Sequence, residues 1–231
     1  MLSDPVRRAE IFAAAAPYVP TAMQHQLATD ALKAAIEGVQ FEWSAATEER
    51  DEARVRVLAK VARLLPGPQR DEALSDAIDA VPRIVAEEGR VRALAQLAPL
   101  LHDAQVTRAL EYARAITNPA ARASSLQAVL RGIPDSSQAE VADEMAAAIT
   151  LIDDAAVRAK ALADAVSALA DLPRDRQYEV WTAALHALAS GTRRELLTKF
   201  DCLGPATLRL GGAEAVSEVA TGLRKSGQWW P

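Results

Sequence analysis

Apolar residues recur along this chain at spacings of three and four, and one thirteen-residue phrase recurs with them. "RVRVLAKVARLLP" (54–66) and "RVRALAQLAPLLH" (90–102) each begin with an arginine, carry apolar residues at +4 and +7, and reach a proline slot at +12. The frame fits Arg54 with Leu58, Val61 and Pro66, and Arg90 with Leu94, Leu97 and His102. It also fits Arg122 with Leu126, Val129 and Pro134, Arg8 with Phe12, Ala15 and Pro20, and Arg193 with Leu197, Phe200 and Pro205. Arg158 opens a further copy with Leu162 and Ala165, whose closing Pro173 comes three residues late, the length of about one extra helical turn. The anchors lie 46, 36, 32, 36 and 35 residues apart. A period in the mid-thirties with 3/4 spacing predicts helix pairs.

Each unit then supplies a first helix ending near the proline slot, a short loop and a second helix. The second helices read "QRDEALSDAIDAV", "QVTRALEYARAI", "SSQAEVADEMAAAITLI", "RQYEVWTAALHALA" and "GAEAVSEVATGLRK". Turn chemistry agrees. Asn118 precedes a proline at a first helical position, "SQAE" (137–140) has capping-box spacing, Thr192 can cap the sixth unit, and "LGG" (210–212) separates the last two helices. The acids of "IDD" (152–154) read as a helix cap. One stretch, "QFEWSAATEERDE" (40–52), exceeds the period and sets the first unit apart. A hairpin cannot bury its apolar stripe alone, so stacked hairpins share a core and the phrase recurs because the interface does. The expectation is an all-α protein, a right-handed α-solenoid of about six αα-hairpins of HEAT or TPR type, with about twelve principal helices. It forms one domain over 1–231, with units starting near 6, 48, 83, 119, 155 and 192 and a C-terminal cap over 213–231.

Composition supports the helical reading: half of the residues are hydrophobic but only 4% aromatic, with Ala and Leu dominant over strand formers. The formal charge of −5 argues against a nucleic-acid partner, which needs a basic face. Cys202 is the only cysteine, so neither a disulfide framework nor a cysteine zinc site is expected. The chain holds no long uninterrupted apolar run, and "MLSDPVRRAE" lacks the apolar core of a signal peptide. A cytoplasmic protein without membrane contact is expected.

The arginines Arg8, Arg54, Arg90, Arg122, Arg158 and Arg193 form the sharpest pattern. They admit a ladder for anionic ligands; the preferred reading is structural, with each stem laid over apolar surface and each head paired with an acid of a neighbouring unit. Trp181 shares the register of Leu74 and Leu110 and is expected in the core, whereas Tyr112 lies off that stripe and is a candidate binding residue. His25, His102 and His186 have no metal-ligand spacing, and Cys202 reads as a packing residue. No catalytic, metal or cofactor site is expected, because no acid, base and nucleophile come together in the pattern. Trp229 and Trp230 in "QWWP" are the remaining binding candidates, either folded back as a cap near Leu203, Leu208 and Val219 or docked on another domain.

The phrases "RALAQLAPLL" (92–101) and "ALEYARAI" (109–116), together with the tail "LGGAEAVSEVATGLRKSGQWWP" (210–231), resemble the C-terminal helical repeats of bacterial STAND-type signalling ATPases, relatives of NACHT and NB-ARC proteins. The tail, with its Gly-Gly, its Ala-Val helix and its terminal Trp-Trp-Pro, is the more distinctive part. The resemblance implies a sensor arm that catalyses nothing and responds to a protein or small-molecule trigger on a concave face. It also implies an ATPase module in the same native chain, although this sequence carries no ATPase motif. The alternatives are a stand-alone scaffold joining protein partners and, more remotely, a helical-repeat DNA-processing enzyme. The last would require a basic channel that this acidic chain does not offer.

Overall fold

The structure is a computed structural model that describes residues 5–37, 47–102, 104–130, 132–133, 135–168, 174–189 and 204–226. Among the described residues it is helical without strands, as the composition predicts. No described helix is long and apolar enough to cross a membrane. The chain divides into two compact units, Met1–Pro134 and Asp135–Pro231, and the division falls between the two helices of the unit that begins near residue 119.

The first unit contains α1 (Pro5–Ala15), α2 (Thr21–Glu37), α3 (Thr47–Ala62), α4 (Gly67–Ala80), α5 (Glu87–Leu97), α6 (Ala104–Arg114) and α7 (Pro119–Leu130). Helices α1 and α2, like α3 and α4, pair as hairpins. The leading helices also pack in succession, α1 on α3, α3 on α5 and α5 on α7, while α4 meets α6. The second unit contains α8 (Asp135–Thr150), α9 (Ala155–Ala168), α10 (Arg174–Ala189) and α11 (Gly204–Ser226). Here α9 packs on both α8 and α10, and α11 on α9 and α10. The sixth unit's expected first helix, with Arg193, Leu197, Phe200 and the Thr192 cap, lies outside the described residues, as do Cys202 and the tail with Trp229 and Trp230.

The +4 residues Leu58, Leu94 and Leu126 are completely covered and Leu162 nearly so; Val61, Leu97, Val129 and Ala165 at +7 are buried with them. Ala62 on α3 and Ala73, Ala77 and Ala80 on α4 are buried, and the two helices pack closely.

Prolines end the helices earlier than the +12 slot suggests. Pro17 and Pro99 sit in 3-10 turns (Ala16–Tyr18 and Ala98–Leu100) that cut α1 and α5 short at Ala15 and Leu97, because proline lacks the N–H that would continue the ladder. Pro82 closes α4 in the same way within Val81–Arg83. Helix α9, free of internal proline, runs 14 residues against 11 for α5. Residues 47–52, the end of the long stretch 40–52, belong to α3. One further expectation is corrected. "SQAE" lies inside α8, which begins at Asp135, so it is not a capping box.

The caps at Asn118 and Asp154 form as read. Asn118 Oδ1 accepts the Ala121 N–H at 3.0 Å, and Asp154 Oδ1 accepts those of Ala156 and Val157 at 2.8 and 2.9 Å.

Candidate functional site

Two of the repeated arginines, Arg90 and Arg158, hold joints between helices. Arg90 Nε donates to the Ile84 carbonyl at 2.6 Å, and Arg158 donates through a terminal guanidinium nitrogen to the Ile152 carbonyl, also at 2.6 Å. Both isoleucines are buried, and each closes the preceding helix with an N–H bond three residues back, to Val81 and Ile149. Ile116 stands in the same position before Arg122, is equally buried, and bonds Ala113 in the same way. Arg8 and Arg122 are half-buried. Arg54 is buried at 6% exposure, with Asp76 Oδ2 at 3.9 Å and no partner for its Nε. Burial, and then the neighbouring Arg83, lower its pKa, while Asp76 and Asp51 oppose the shift.

Within the first compact unit, pairing between successive hairpins is made by other arginines. Two residues after the anchors, Arg56 donates to Glu10 Oε1 at 2.6 Å, and Arg92 grips Glu52 with two bonds of 2.8 and 2.9 Å. Along the α4–α6 contact, Arg108 meets Asp79 at 2.8 Å and Ser75 Oγ at 3.1 Å, and Gln105 donates to the Asp71 carbonyl at 3.2 Å. Asp71, Ser75 and Asp79 are spaced four apart, so they share one face of α4. Glu87 accepts the backbone N–H groups of Thr117 and Asn118 at 2.8 and 2.9 Å, which hold its carboxyl below the usual range. The hydrogen bond from Arg92 does the same for Glu52. These shifted groups are therefore explained by joints of the framework.

Tyr112 is half-buried on α6 rather than fully exposed. His25, His102 and His186 are exposed; His102 Nε2 lies 3.3 Å from the Arg70 guanidinium. Among the described residues no group of three or more His, Cys, Asp or Glu could hold a metal ion.

Chemically versatile side chains converge instead in the second unit. A cleft of about 550 Å³ opens between α10 and α11, lined by Arg174, Asp175, Tyr178 and Trp181 from one helix and by Leu210, Glu218 and Val219, among others, from the other. Trp181 packs on buried Ala206 and Leu210, and its Nε1–H donates to Thr207 Oγ1 at 3.0 Å, which fixes the indole. Tyr178, one turn earlier and 57% exposed, tilts against it at 31° with centroids 5.6 Å apart. Arg174 reaches across to donate to the Leu210 carbonyl. The opposite wall is shaped by Gly212, whose φ of 69° and ψ of −170° break α11 into two segments, where "LGG" predicts a turn. Trp181 is thus a partly buried cleft residue rather than a core residue. Sequence reasoning passed over Tyr178; the available signal was an aromatic pair three apart on one helix face.

Comparison with protein-family models, with curated proteins and with solved structures finds no match to this chain.

Proposed function

We propose that the chain is a non-catalytic recognition module, the C-terminal arm of a cytoplasmic bacterial signalling or defence ATPase of the STAND type, built as a right-handed solenoid of about six hairpins. The successive packing of α1, α3, α5 and α7 supports the repeat architecture. The observation that carries the recognition reading is the α10–α11 cleft, where an indole fixed by its own hydrogen bond and a largely exposed phenol line a space of about 550 Å³. Ligand sites typically combine such aromatic lining with a few placed polar groups and span roughly 300–1,000 Å³. The trigger, a protein or a small molecule, engages this cleft.

The test places photoreactive p-benzoylphenylalanine at position 178 in cells producing the protein, with the same group at exposed position 157 as control. One dominant adduct at 178 and none at 157 is the expected result. No adduct at 178, or the same adducts at both positions, overturns the reading.

A further inference from the structure

The chemistry of the α10–α11 cleft, if it is the recognition site just proposed, also selects its ligand. Its aromatic side offers two adjacent rings, one of them immobilised: Trp181 is tied to Thr207 Oγ1, itself on a residue only 3% exposed, and Tyr178 leans on it with more than half of its surface free. Aromatic faces carry negative charge density and attract cations. The charged lining has the same preference. Asp175 stands on the α10 wall and Glu218 on the α11 wall, and both are exposed. Arg174 is the one basic residue among the described lining, and its guanidinium already donates to the Leu210 carbonyl. An anion entering here meets two carboxylates and two aromatic rings against the single guanidinium of Arg174, so the described lining carries more negative than positive charge. A neutral apolar ligand matches the rings and leaves the carboxylates without a partner, at a desolvation cost. A cation satisfies rings and carboxylates together.

We infer that the cleft between α10 and α11 is a receptor for an organic cation, a guanidinium or alkylammonium head held between the Tyr178–Trp181 pair and the carboxylates of Asp175 and Glu218. The space exceeds what a head group alone fills, so the head arrives with its attached chain, whether as a free amine or as an arginine or lysine side chain.

The experiment follows the Trp181 indole N–H resonance in the full chain, assigned with Trp181→Phe, during titration with choline, its uncharged isostere 3,3-dimethylbutan-1-ol, and acetyl-Ala-Arg-Ala-amide. Expected are saturable shifts with the two cations and affinity for the neutral isostere at least roughly tenfold weaker, the scale of a partly desolvated cation–π contact. Tyr178→Ala should weaken cation binding by about fivefold, and the Asp175→Asn/Glu218→Gln double variant by at least about tenfold. Tighter binding of the tripeptide than of choline assigns the source to a partner's side chain, and the reverse order to a free amine. Equal binding of choline and the isostere, an unchanged double variant, or no saturable shift with either cation up to roughly 10 mM overturns the inference. A crosslink at position 178 without cation preference would sink this inference alone and leave the recognition reading standing. Cation binding without any crosslinked partner would do the opposite.

Discussion

The side chain of Arg90 reaches back six residues to bond the carbonyl of Ile84 at 2.6 Å, and Arg158 does the same to Ile152. The carbonyls that end a helix have no partner within it, and here the first turn of the next helix supplies one. The isoleucine side chain fills the core while its carbonyl receives the arginine, so a single residue pair joins burial and hydrogen bonding at the joint. A hydrogen bond to a charged group contributes about 1.5–3 kcal/mol where it is shielded, and both arginines are half-buried. Arg90→Ala and Arg158→Ala should therefore each lower stability by about 1–3 kcal/mol in urea denaturation. Losses below about 0.5 kcal/mol at both sites would reduce the joint to a surface contact.

Gly89 tests the same joint by packing. Alanine is the better helix former by about 1 kcal/mol, so Gly89→Ala would stabilise an open position. Gly89 is buried, however, and a Cβ there would stand 2.7 Å from Ile84 Cγ2 and 3.1 Å from Glu52 Oε2. Ile84 is 1% exposed and sits in the core. The expected net outcome is destabilisation by about 1–3 kcal/mol, as for overpacked cores. A rise in the thermal midpoint of Gly89→Ala would show that Ile84 can yield.

What could be read from the sequence follows the range of the interactions. Leu58, Leu94, Leu126 and Leu162 are buried where the +4 rule puts them, because helical periodicity is a property of neighbouring residues. The Asn118 and Asp154 caps were legible for the same reason. The Arg92–Glu52 pair spans 40 residues and depends on how α5 lies against α3, which no local pattern encodes. Pro17 and Pro99 lie inside the repeated phrase and end their helices before the outer proline slot, an effect the periodicity of apolar residues does not carry. The register of Trp181 matches that of Leu74, which is completely buried, so the local pattern alone puts the indole in the core. Trp181 instead packs on Ala206 and Leu210 at the edge of a cleft whose other wall is α11, a helix that begins 23 residues later in the chain.

Acid sensitivity should reside in two glutamates. Backbone N–H bonds from Thr117 and Asn118 lower the Glu87 pKa, and the Arg92 hydrogen bond lowers that of Glu52. A carboxyl whose folded pKa lies below its unfolded value of about 4.3 contributes stability that is fully present above that value. That contribution disappears as pH falls through the folded pKa. The urea midpoint should thus hold from neutral pH down to about pH 5 and decline below it. Glu87→Gln should lower the neutral plateau and make the acid decline shallower. Raised salt should erode the contribution of the Glu52–Arg92 ion pair, whose arginine side chain is 57% exposed, because water and ions screen it. An acid limb of unchanged slope in both Glu87→Gln and Glu52→Gln would assign the sensitivity elsewhere.

Gly212 separates backbone geometry from packing at the cleft. Its φ of 69° and ψ of −170° lie in a region that L-residues essentially avoid, and a Cβ there would meet nothing within 4 Å. Any cost of Gly212→Ala therefore arises in the backbone, at about 1–3 kcal/mol. The cleft takes Leu210 and Gly211 from before the break and Ala215, Glu218 and Val219 from after it, so relaxing the break separates one wall into misaligned halves. Gly212→Ala should lower the stability of the second unit, leave urea unfolding of the first unit unchanged, and weaken whatever the cleft binds. A D-alanine at position 212, installed by ligating a synthetic C-terminal segment, accepts positive φ and should restore both properties. If the D- and L-alanine proteins behaved alike, the positive-φ break would not be what shapes the cleft.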